Sequence, residues 1–302
     1  MIALFGPTGV GKTAVAIALA ERLRAAGEDP LAVSADALQV YRGLELLTGA
    51  ATVAEQRRLE HRLLSFVEPT ETYSAGRFAA SAHQEIDGAL RARRRPIVVG
   101  GTGLYLQAAL TDLELRPAPD PRLRRELEEA VAERGVESLH GELQSRSPDV
   151  AAGVDPRDRT RVIRALELLE MGEQPAPAGR GSRLWTASLR RPTLLAGLIM
   201  GREELDARID ARVEKMVAAG AADQVRAADA AGASRTAGAA LGFEELLRGD
   251  VEAMKVRTRR YARRQLAWMR RLPNVAEIDL TGSEHGRAAA EILDLLAARP
   301  GG

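Results

Sequence analysis

The chain has 302 residues, of which 45% are hydrophobic and 28% charged, as in a soluble globular protein of about two domains. It contains no cysteine, which excludes disulfides, thiolate nucleophiles and cysteine-bound zinc. Its net charge is only +1, so any nucleic-acid surface must come from local clusters of basic residues. Neither an apolar run of ~18 residues nor a signal-peptide pattern is present, so we expect a cytoplasmic protein with no membrane partner.

A phosphate-loop pattern, G-x-x-x-x-G-K-[ST], occupies residues 6–13, between a predicted strand at 2–5 and a predicted helix at 14–26. Backbone N–H groups at such a helix N-terminus bind a polyphosphate or diphosphate. Lys12 would add a mobile positive charge, and the Thr13 hydroxyl would bind a Mg²⁺ ion that bridges phosphate oxygens. The predicted diphosphate-binding residues of the loop are Gly6, Pro7, Thr8, Gly9, Val10, Gly11, Lys12 and Thr13.

A second predicted strand, 31–35, ends at Asp36. Open α/β sheets bind their ligands at the carboxyl ends of the strands, so this carboxylate is a candidate site residue. The following segment, 37–43, combines an amide, a phenol and a guanidinium, which is more than a surface turn requires. The structural alternative is that Asp36 caps the N-terminus of a helix.

A third strand, 96–99, follows a predicted helix at 75–94 and ends in Gly100, Gly101 and Thr102. Phosphate-loop enzymes that hydrolyse nucleotides usually have an aspartate after this strand to hold Mg²⁺. The glycines would instead let another molecule approach the backbone closely. The missing carboxylate weakens the case for ATP hydrolysis.

The middle of the chain is predicted to be a helical insertion into the α/β core. Proline- and glycine-rich linkers at 116–121 and 175–182 enclose helices at 122–134, 138–145 and 157–171. We therefore expect residues 1–114 and 185–302 to form the core and 115–184 the insertion. The insertion's basic residues at 157, 159, 161 and 164 fit either a solvated helix face or an RNA contact.

The last third returns to the core, with strands at 193–200 and 275–280 and helices at 202–218 and 283–297. Arg208 and Arg212 are four residues apart and therefore lie on one helix face. Segment 255–271 has eight basic residues in seventeen positions and no acidic one. Such a face of one charge favours phosphate binding over simple solvation.

With these pieces in order, the chain resembles the bacterial tRNA dimethylallyltransferases along nearly its whole length. The segments that carry the resemblance are GPTGVGKT at 6–13, SADALQVYRG at 34–43, GGTGLYL at 100–106, RVIRALE at 161–167, RIDARVEKM at 208–216 and TRRYARRQLAWM at 258–269. The first is shared by a vast superfamily, whereas the other five in this order are highly specific.

The resemblance implies a phosphate-loop α/β fold with a helical insertion, acting as a monomer with Mg²⁺. The implied activity joins the dimethylallyl group of dimethylallyl diphosphate to N6 of adenosine 37, next to the anticodon, in tRNAs that read codons beginning with U. The partner is the tRNA anticodon stem-loop, and the target base is flipped out of its stack because chemistry on a stacked base requires it. The phosphate loop then holds the donor's diphosphate instead of ATP.

The resemblance also implies roles for individual positions. Asp36 corresponds to the general base, Thr102 to a second catalytic position, and Arg208 and Arg212 to diphosphate ligands. The implied tRNA-binding residues are Asp36, Ala37, Leu38, Gln39, Thr102, Arg124, Thr160, Arg161, Val162, Ile163, Arg164, Gly242, Phe243, Arg263, Arg264, Gln265 and Arg270.

The sequence departs from the family pattern at Ala50, Arg62 and Ala239, where a lysine, a histidine and a glutamine are usual. These changes bear on tRNA affinity and leave the diphosphate site intact. Two other functions remain open. A small-molecule kinase would need a carboxylate after the third strand, and a non-catalytic RNA-binding protein would not need Lys12, Thr13 and Asp36 together.

Overall fold

A computed structural model describes residues 1–113, 120–173 and 188–298. The chain divides into two compact units, Met1–Glu114 with Leu184–Gly302 (the core unit) and Leu115–Arg183 (the helical unit). The predicted boundaries lie at 114/115 and 184/185, outside the described residues, as do the 175–182 linker and most of the 116–121 linker. Among the described helices, none is both long and apolar enough to cross a membrane.

The core unit contains one parallel sheet, which confirms the predicted α/β class. Its strands are β1 (Ile2–Phe5), β2 (Pro30–Ala35), β3 (His61–Arg62), β4 (Arg95–Gly100), β5 (Leu194–Ile199) and β6 (Ala276–Asp279). They pair in the order β3-β2-β4-β1-β5-β6. A parallel sheet is covered by helices on both faces, so its strands are continuously apolar instead of alternating. Accordingly, every residue of β1 is fully buried.

Helices cover both faces of this sheet. The described helices of the core unit are α1 (Lys12–Ala25), α2 (Glu45–Thr48), α3 (Val53–Arg58), α4 (Ala75–Arg91), α5 (Gly103–Leu110), α10 (Arg202–Ala218), α11 (Ala221–Ala230), α12 (Arg235–Gly238), α13 (Phe243–Leu247), α14 (Val251–Met269) and α15 (His285–Ala297). Successive β1 residues point to opposite faces, so Ala3 and Phe5 join one hydrophobic cluster and Ile2 and Leu4 the other.

Strand register brings the ends of three strands to one edge of the sheet. Phe5 and Ala35 both pair with Gly100, so β1, β2 and β4 end side by side. The phosphate loop, Asp36 and Gly101 follow these three strands and therefore lie at the same edge of the sheet, where open α/β sheets bind ligands.

The helical unit consists, in its described residues, of α6 (Pro121–Arg134), α7 (Val136–Arg146), α8 (Pro148–Ala151) and α9 (Arg159–Glu170). They pack around a small cluster of their own that includes Leu139, Leu143 and Leu166. The predicted helices are confirmed, with shifted ends. Helix α9 begins two residues later than predicted because the Asp158 carboxylate accepts a hydrogen bond from the Arg161 N–H and caps it.

Helix α4 also differs from the prediction, since it ends at Arg91 rather than at residue 94. Arg93 has a left-handed φ of 59°, which breaks the helical path before β4. The two-residue strand β3 was not predicted, because two residues carry no periodic signal.

Candidate active site

The phosphate loop connects β1 to α1 and depends on two left-handed glycines. Gly9 has φ 84° and Gly11, the N-cap residue of α1, has φ 105°. A β-carbon on Gly9 would lie 2.9 Å from Ile209 Cγ1, so conformation and space both require glycine there. The Lys12 ammonium group donates to the carbonyl oxygens of Gly6 and Pro7, each over 2.9 Å.

Arg212 of α10 reaches the loop from the other side. Its Nη1 donates to the Thr8 hydroxyl over 3.3 Å, and its Nη2 donates to the carbonyl oxygens of Thr48 and Gly49 over 3.4 and 3.3 Å. A β-carbon on Gly49 would overlap this guanidinium. Arg208, one turn earlier, pairs with Glu204 over 2.9 Å and lines the same cavity. Both arginines therefore line the cavity that contains the phosphate loop, and their role as diphosphate ligands stays a prediction.

Burial raises the free-energy cost of keeping Lys12 and Arg212 charged. Desolvation, together with the nearby charge of Arg212, lowers the pKa of Lys12 to about 8, and Asp36 only partly opposes the shift. Burial also lowers the pKa of Arg212, against the opposing charges of Asp36 and Glu55. Two incompletely compensated cations beside a phosphate loop form an electrostatic site for an anion.

The cavity at this edge encloses about 440 Å³, and its lining combines polar and apolar groups. The polar lining includes the phosphate loop, Arg208, Arg212, Asp36 and Tyr261. The apolar side chains of the lining are Leu47, Ile209, Val213, Met216, Leu241 and Met254. Such a cavity fits a small ligand with an anionic end and a hydrocarbon end.

Asp36 holds a turn rather than a helix. Its Oδ1 accepts from the Leu38 N–H over 3.0 Å, and the chain forms bends and turns until α2 begins at Glu45. The alternative that Asp36 is a helix N-cap is therefore wrong. Gln39 contributes to the same loop, with its Oε1 accepting from Ser34 Oγ over 3.1 Å. Residues 36–39 are partly exposed, and Asp36, Leu38 and Gln39 line the cavity.

Thr102 is the N-cap residue of α5, but its side chain makes no capping hydrogen bond. The hydroxyl lies 3.2 Å from the Tyr261 hydroxyl of α14 instead. Burial and the charge of Asp36 raise the pKa of Tyr261 to about 12, so its phenol stays neutral. A structural role as a cap therefore does not account for the Thr102 hydroxyl.

The structure explains why no carboxylate follows β4. A β-carbon on Gly101 would collide with the Gln265 amide and lie 3.2 Å from the Gly6 carbonyl oxygen and 3.3 Å from Lys12 Nζ. A side chain at this position would therefore displace the buried Gln265 amide. Among the described residues, no group of three or more His, Asp or Glu side chains is arranged to hold a metal ion.

The basic segment of α14 separates into two parts. Lys255 pairs with Glu214 and Glu252 over 2.8 and 2.7 Å, Arg257 pairs with Glu245, and Arg259 pairs with Asp210. Carboxylates of α10, α13 and α14 balance the charges of these three residues within the fold, so they do not form part of a face of one charge. The exposed arginines lie further along, and they are Arg260, Arg263, Arg264, Arg270 and Arg271.

Several residues with implied tRNA contacts have buried side chains. Gln265 is 2% exposed and bonds two backbone groups of the core unit, so it is not on the exposed arginine face. Phe243 is 4% exposed, next to Gly242, which has φ 93° and begins α13. In the helical unit, Val162 and Ile163 belong to the hydrophobic cluster, whereas Thr160 and Arg161 are exposed.

A buried carboxylate, Glu167, organises the arginines of the helical unit. Its oxygens accept from Arg124 Nη2 over 2.5 Å and from Arg164 Nη1 over 3.1 Å, and its own side chain is fully buried. Glu167 was not among the predicted functional residues, although its i,i+3 spacing from Arg164 is a signal that could have indicated it. Arg157, Arg159 and Arg161 are exposed.

The three departures from the family pattern lie at three different places in the core unit. Ala50 is 8% exposed and follows Gly49, which Arg212 covers. Arg62 of β3 pairs with Glu60 over 2.6 Å, and Ala239 is the C-cap residue of α12.

A phosphate loop on an inner strand of a parallel sheet, opening into a half-apolar cavity, defines a phosphate-loop α/β protein with a site for an anionic organic ligand. The sequence identifies the protein's family more narrowly than the fold does. A family model described as "IPP transferase" matches residues 39–272. The chain belongs to the IPP transferase family.

Named relatives are similar to this chain over most of their length. A tRNA dimethylallyltransferase of Kineococcus radiotolerans is 38% identical, over 98% of this chain and 96% of the relative. One from Anaeromyxobacter sp. is 42% identical, over 92% of each.

Solved structures also resemble it. A tRNA isopentenylpyrophosphate transferase of Bacillus halodurans superposes with a TM-score of 0.70 at 32% identity, covering 98% of this chain and 95% of that one. A eukaryotic dimethylallyltransferase, seen acting on tRNA, gives a TM-score of 0.79 at 26% identity, covering 99% of this chain and 80% of that one.

Proposed function

We propose that this protein transfers the dimethylallyl group of dimethylallyl diphosphate to N6 of an adenine in tRNA, and that this adenine is adenosine 37, next to the anticodon. The observation that carries the proposal is a cavity lined by the phosphate loop, Asp36 and apolar side chains. The names of the relatives, which are tRNA dimethylallyltransferases, support the same activity.

The donor's diphosphate binds the phosphate loop. The N–H groups at the start of α1, with Lys12, Arg208 and Arg212, supply positive potential where the leaving group gains charge. The dimethylallyl group then contacts the apolar side chains of the lining, among them Val213, Met216 and Met254, which exclude water. Water exclusion matters because an activated allylic carbon would otherwise be hydrolysed.

The adenine enters flipped out of its stack. Its N6 nitrogen attacks C1 of the donor, the C1–O bond breaks, and diphosphate leaves with the bonding electrons. The N6 lone pair is delocalised into the ring, so attack gains from removal of an N6 proton as the new bond forms. Asp36, at the cavity wall, accepts that proton as general base.

The chain's residues fit Mg²⁺ held chiefly by the ligand. Mg²⁺ prefers phosphate oxygens and water and needs few protein ligands, which agrees with the described residues lacking a carboxylate cluster. We propose Thr13, whose side chain lines the cavity, as its protein ligand. When bound, the ion would neutralise charge on the departing diphosphate.

The test is mass spectrometry of unmodified tRNA after incubation with the protein, Mg²⁺ and dimethylallyl diphosphate. We expect a C5H8 mass gain on one adenosine, and digestion to anticodon-loop fragments should place it at position 37. Incubation with ATP alone should release no phosphate. Robust ATP turnover without tRNA or prenyl donor would contradict the proposal and favour a kinase or ATPase.

A further inference from the structure

Gln265 joins helix α14 to the phosphate loop. Its Oε1 accepts a hydrogen bond from the Thr8 N–H over 2.8 Å, and its Nε2 donates to the Gly101 carbonyl oxygen over 2.7 Å. The side chain is 2% exposed and lines the cavity. Of its two partners, Thr8 lies in the phosphate loop after β1, and Gly101 directly follows β4. One amide therefore holds the phosphate loop to the end of β4.

Thr8, the loop residue bonded to Gln265, is also held through its own side chain. The Thr8 hydroxyl accepts from Arg212, while the Thr8 N–H is bonded to Gln265. Thr8 is thus fixed through both its backbone and its side chain, a few residues before the N–H groups that begin α1. Donors fixed before a ligand arrives bind it more tightly, because the ordering cost has already been met.

We propose that Gln265 is a positioning residue for diphosphate binding, which sets the phosphate loop through Thr8 and does not act as an RNA contact through its side chain. The inference rests on the proposed binding of a diphosphate by the loop. It assigns to α14 a second role, since the same helix carries Arg263 and Arg264 on its exposed side.

The position requires a neutral group that accepts and donates at once. Glutamine does both, and methionine has a similar length but does neither. A glutamate can do both only as the protonated acid; burial beside the Gly101 carbonyl would raise its pKa, whereas the positive charges of Lys12 and Arg212, which line the same cavity, would lower it. Gln265→Glu therefore supplies a variant whose defect lessens as the pH falls, which loss of packing alone would not produce.

The experiment measures the Kd of inorganic diphosphate with Mg²⁺ by calorimetry, on the full chain, between pH 5.5 and 8. We expect Gln265→Met to weaken binding about tenfold, as for loss of roughly one net hydrogen bond. At pH 8, Gln265→Glu should bind diphosphate more weakly than Gln265→Met does. At pH 5.5, the ratio of its Kd to the Kd of wild type should fall toward one.

Wild type measured in parallel corrects for titration of diphosphate and for the charged groups that line the cavity, Lys12, Asp36, Glu55, Arg208 and Arg212. The matched control is Gln107→Met, which removes another buried glutamine, 3% exposed, within α5. It should leave the diphosphate Kd unchanged.

An unchanged Kd for Gln265→Met, or a Kd for Gln265→Glu equal to that of wild type at pH 8, overturns the inference. If Gln265→Met does not fold, the Gln265→Glu series alone decides. Wild type that binds no diphosphate contradicts both this inference and the proposed donor site. Binding that depends on Gln265 without prenyl transfer to tRNA contradicts the proposed function alone.

Discussion

The hydroxyl groups of Thr102 and Tyr261 lie 3.2 Å apart, one at the end of β4 and one in the middle of α14. Tyr261 and Asp36 line the same cavity, and the charge of Asp36 contributes to the raised pKa of the phenol. The pair therefore places two neutral hydroxyls close to the proposed base.

The first prediction concerns this pair. Tyr261→Phe and Thr102→Val each remove one hydroxyl, and each should lower the single-turnover rate of transfer by about fivefold, the decrease expected for a hydrogen bond of ~1 kcal/mol. Because the two groups act together, the double variant should be little worse than either single one. If the increases in activation free energy of the two single variants add in the double variant, the hydroxyls act independently.

The second prediction concerns Asp36. Asp36→Asn keeps the shape and can still accept from the Leu38 N–H, so the turn and both ligand affinities should be preserved. It cannot take the N6 proton, and a placed general base contributes ~10²–10⁴ in rate, so kcat should fall at least ~100-fold. Rapid-quench transfer within about tenfold of wild type would refute the role of base.

The third prediction concerns Lys12 and pH. Its pKa is lowered from 10.5 to about 8 without ligand, mainly by burial and then by Arg212, so it loses its charge as the pH rises through about 8. Diphosphate favours the charged form. The contribution of Lys12 to diphosphate affinity should therefore be complete below pH 8 and decrease above it. Above pH 8, diphosphate binding should also be accompanied by proton uptake, which calorimetry in two buffers can measure.

Lys12→Met provides the control for that experiment. It should bind diphosphate weakly at every pH, without the proton uptake near pH 8, and Lys12→Ala should abolish prenyl transfer while tRNA binding remains nearly unchanged. An identical pH profile in wild type and Lys12→Met would rule Lys12 out as the titrating group.

The fourth prediction concerns the exposed arginines of α14. Replacing Arg263 and Arg264 together by glutamine should weaken tRNA binding and flatten its dependence on salt, by about one slope unit for each phosphate that an arginine no longer neutralises. Transfer at saturating tRNA should suffer much less. Filter binding between low and physiological salt measures both the affinity and the salt slope.

Lys255→Gln is the matched control on the same helix, because Glu214 and Glu252 already balance that charge. Its salt slope should equal that of wild type. The same slope in the Arg263/Arg264 double variant would mean that this face is only solvated.

The sequence alone determined the features that contiguous residues encode. The strand, loop and helix around residues 6–13 form a phosphate loop because its glycines and its lysine lie in one short segment. Asp36 follows its strand directly, and the missing carboxylate after β4 could be read from Gly100 and Gly101. The six motifs in order also indicated the family that the comparisons then showed.

Tertiary structure decided which of the basic and polar residues are available. Arg259 pairs with Asp210 and Arg257 with Glu245, and these partners come from other helices, so no local pattern could indicate them. Gln265 occurs in the most basic segment, yet it faces Thr8, 257 residues away in the chain. The physical reason is that a parallel sheet sets β1 beside β4 and β5, and the resulting contacts decide which charges are balanced and which amides are buried.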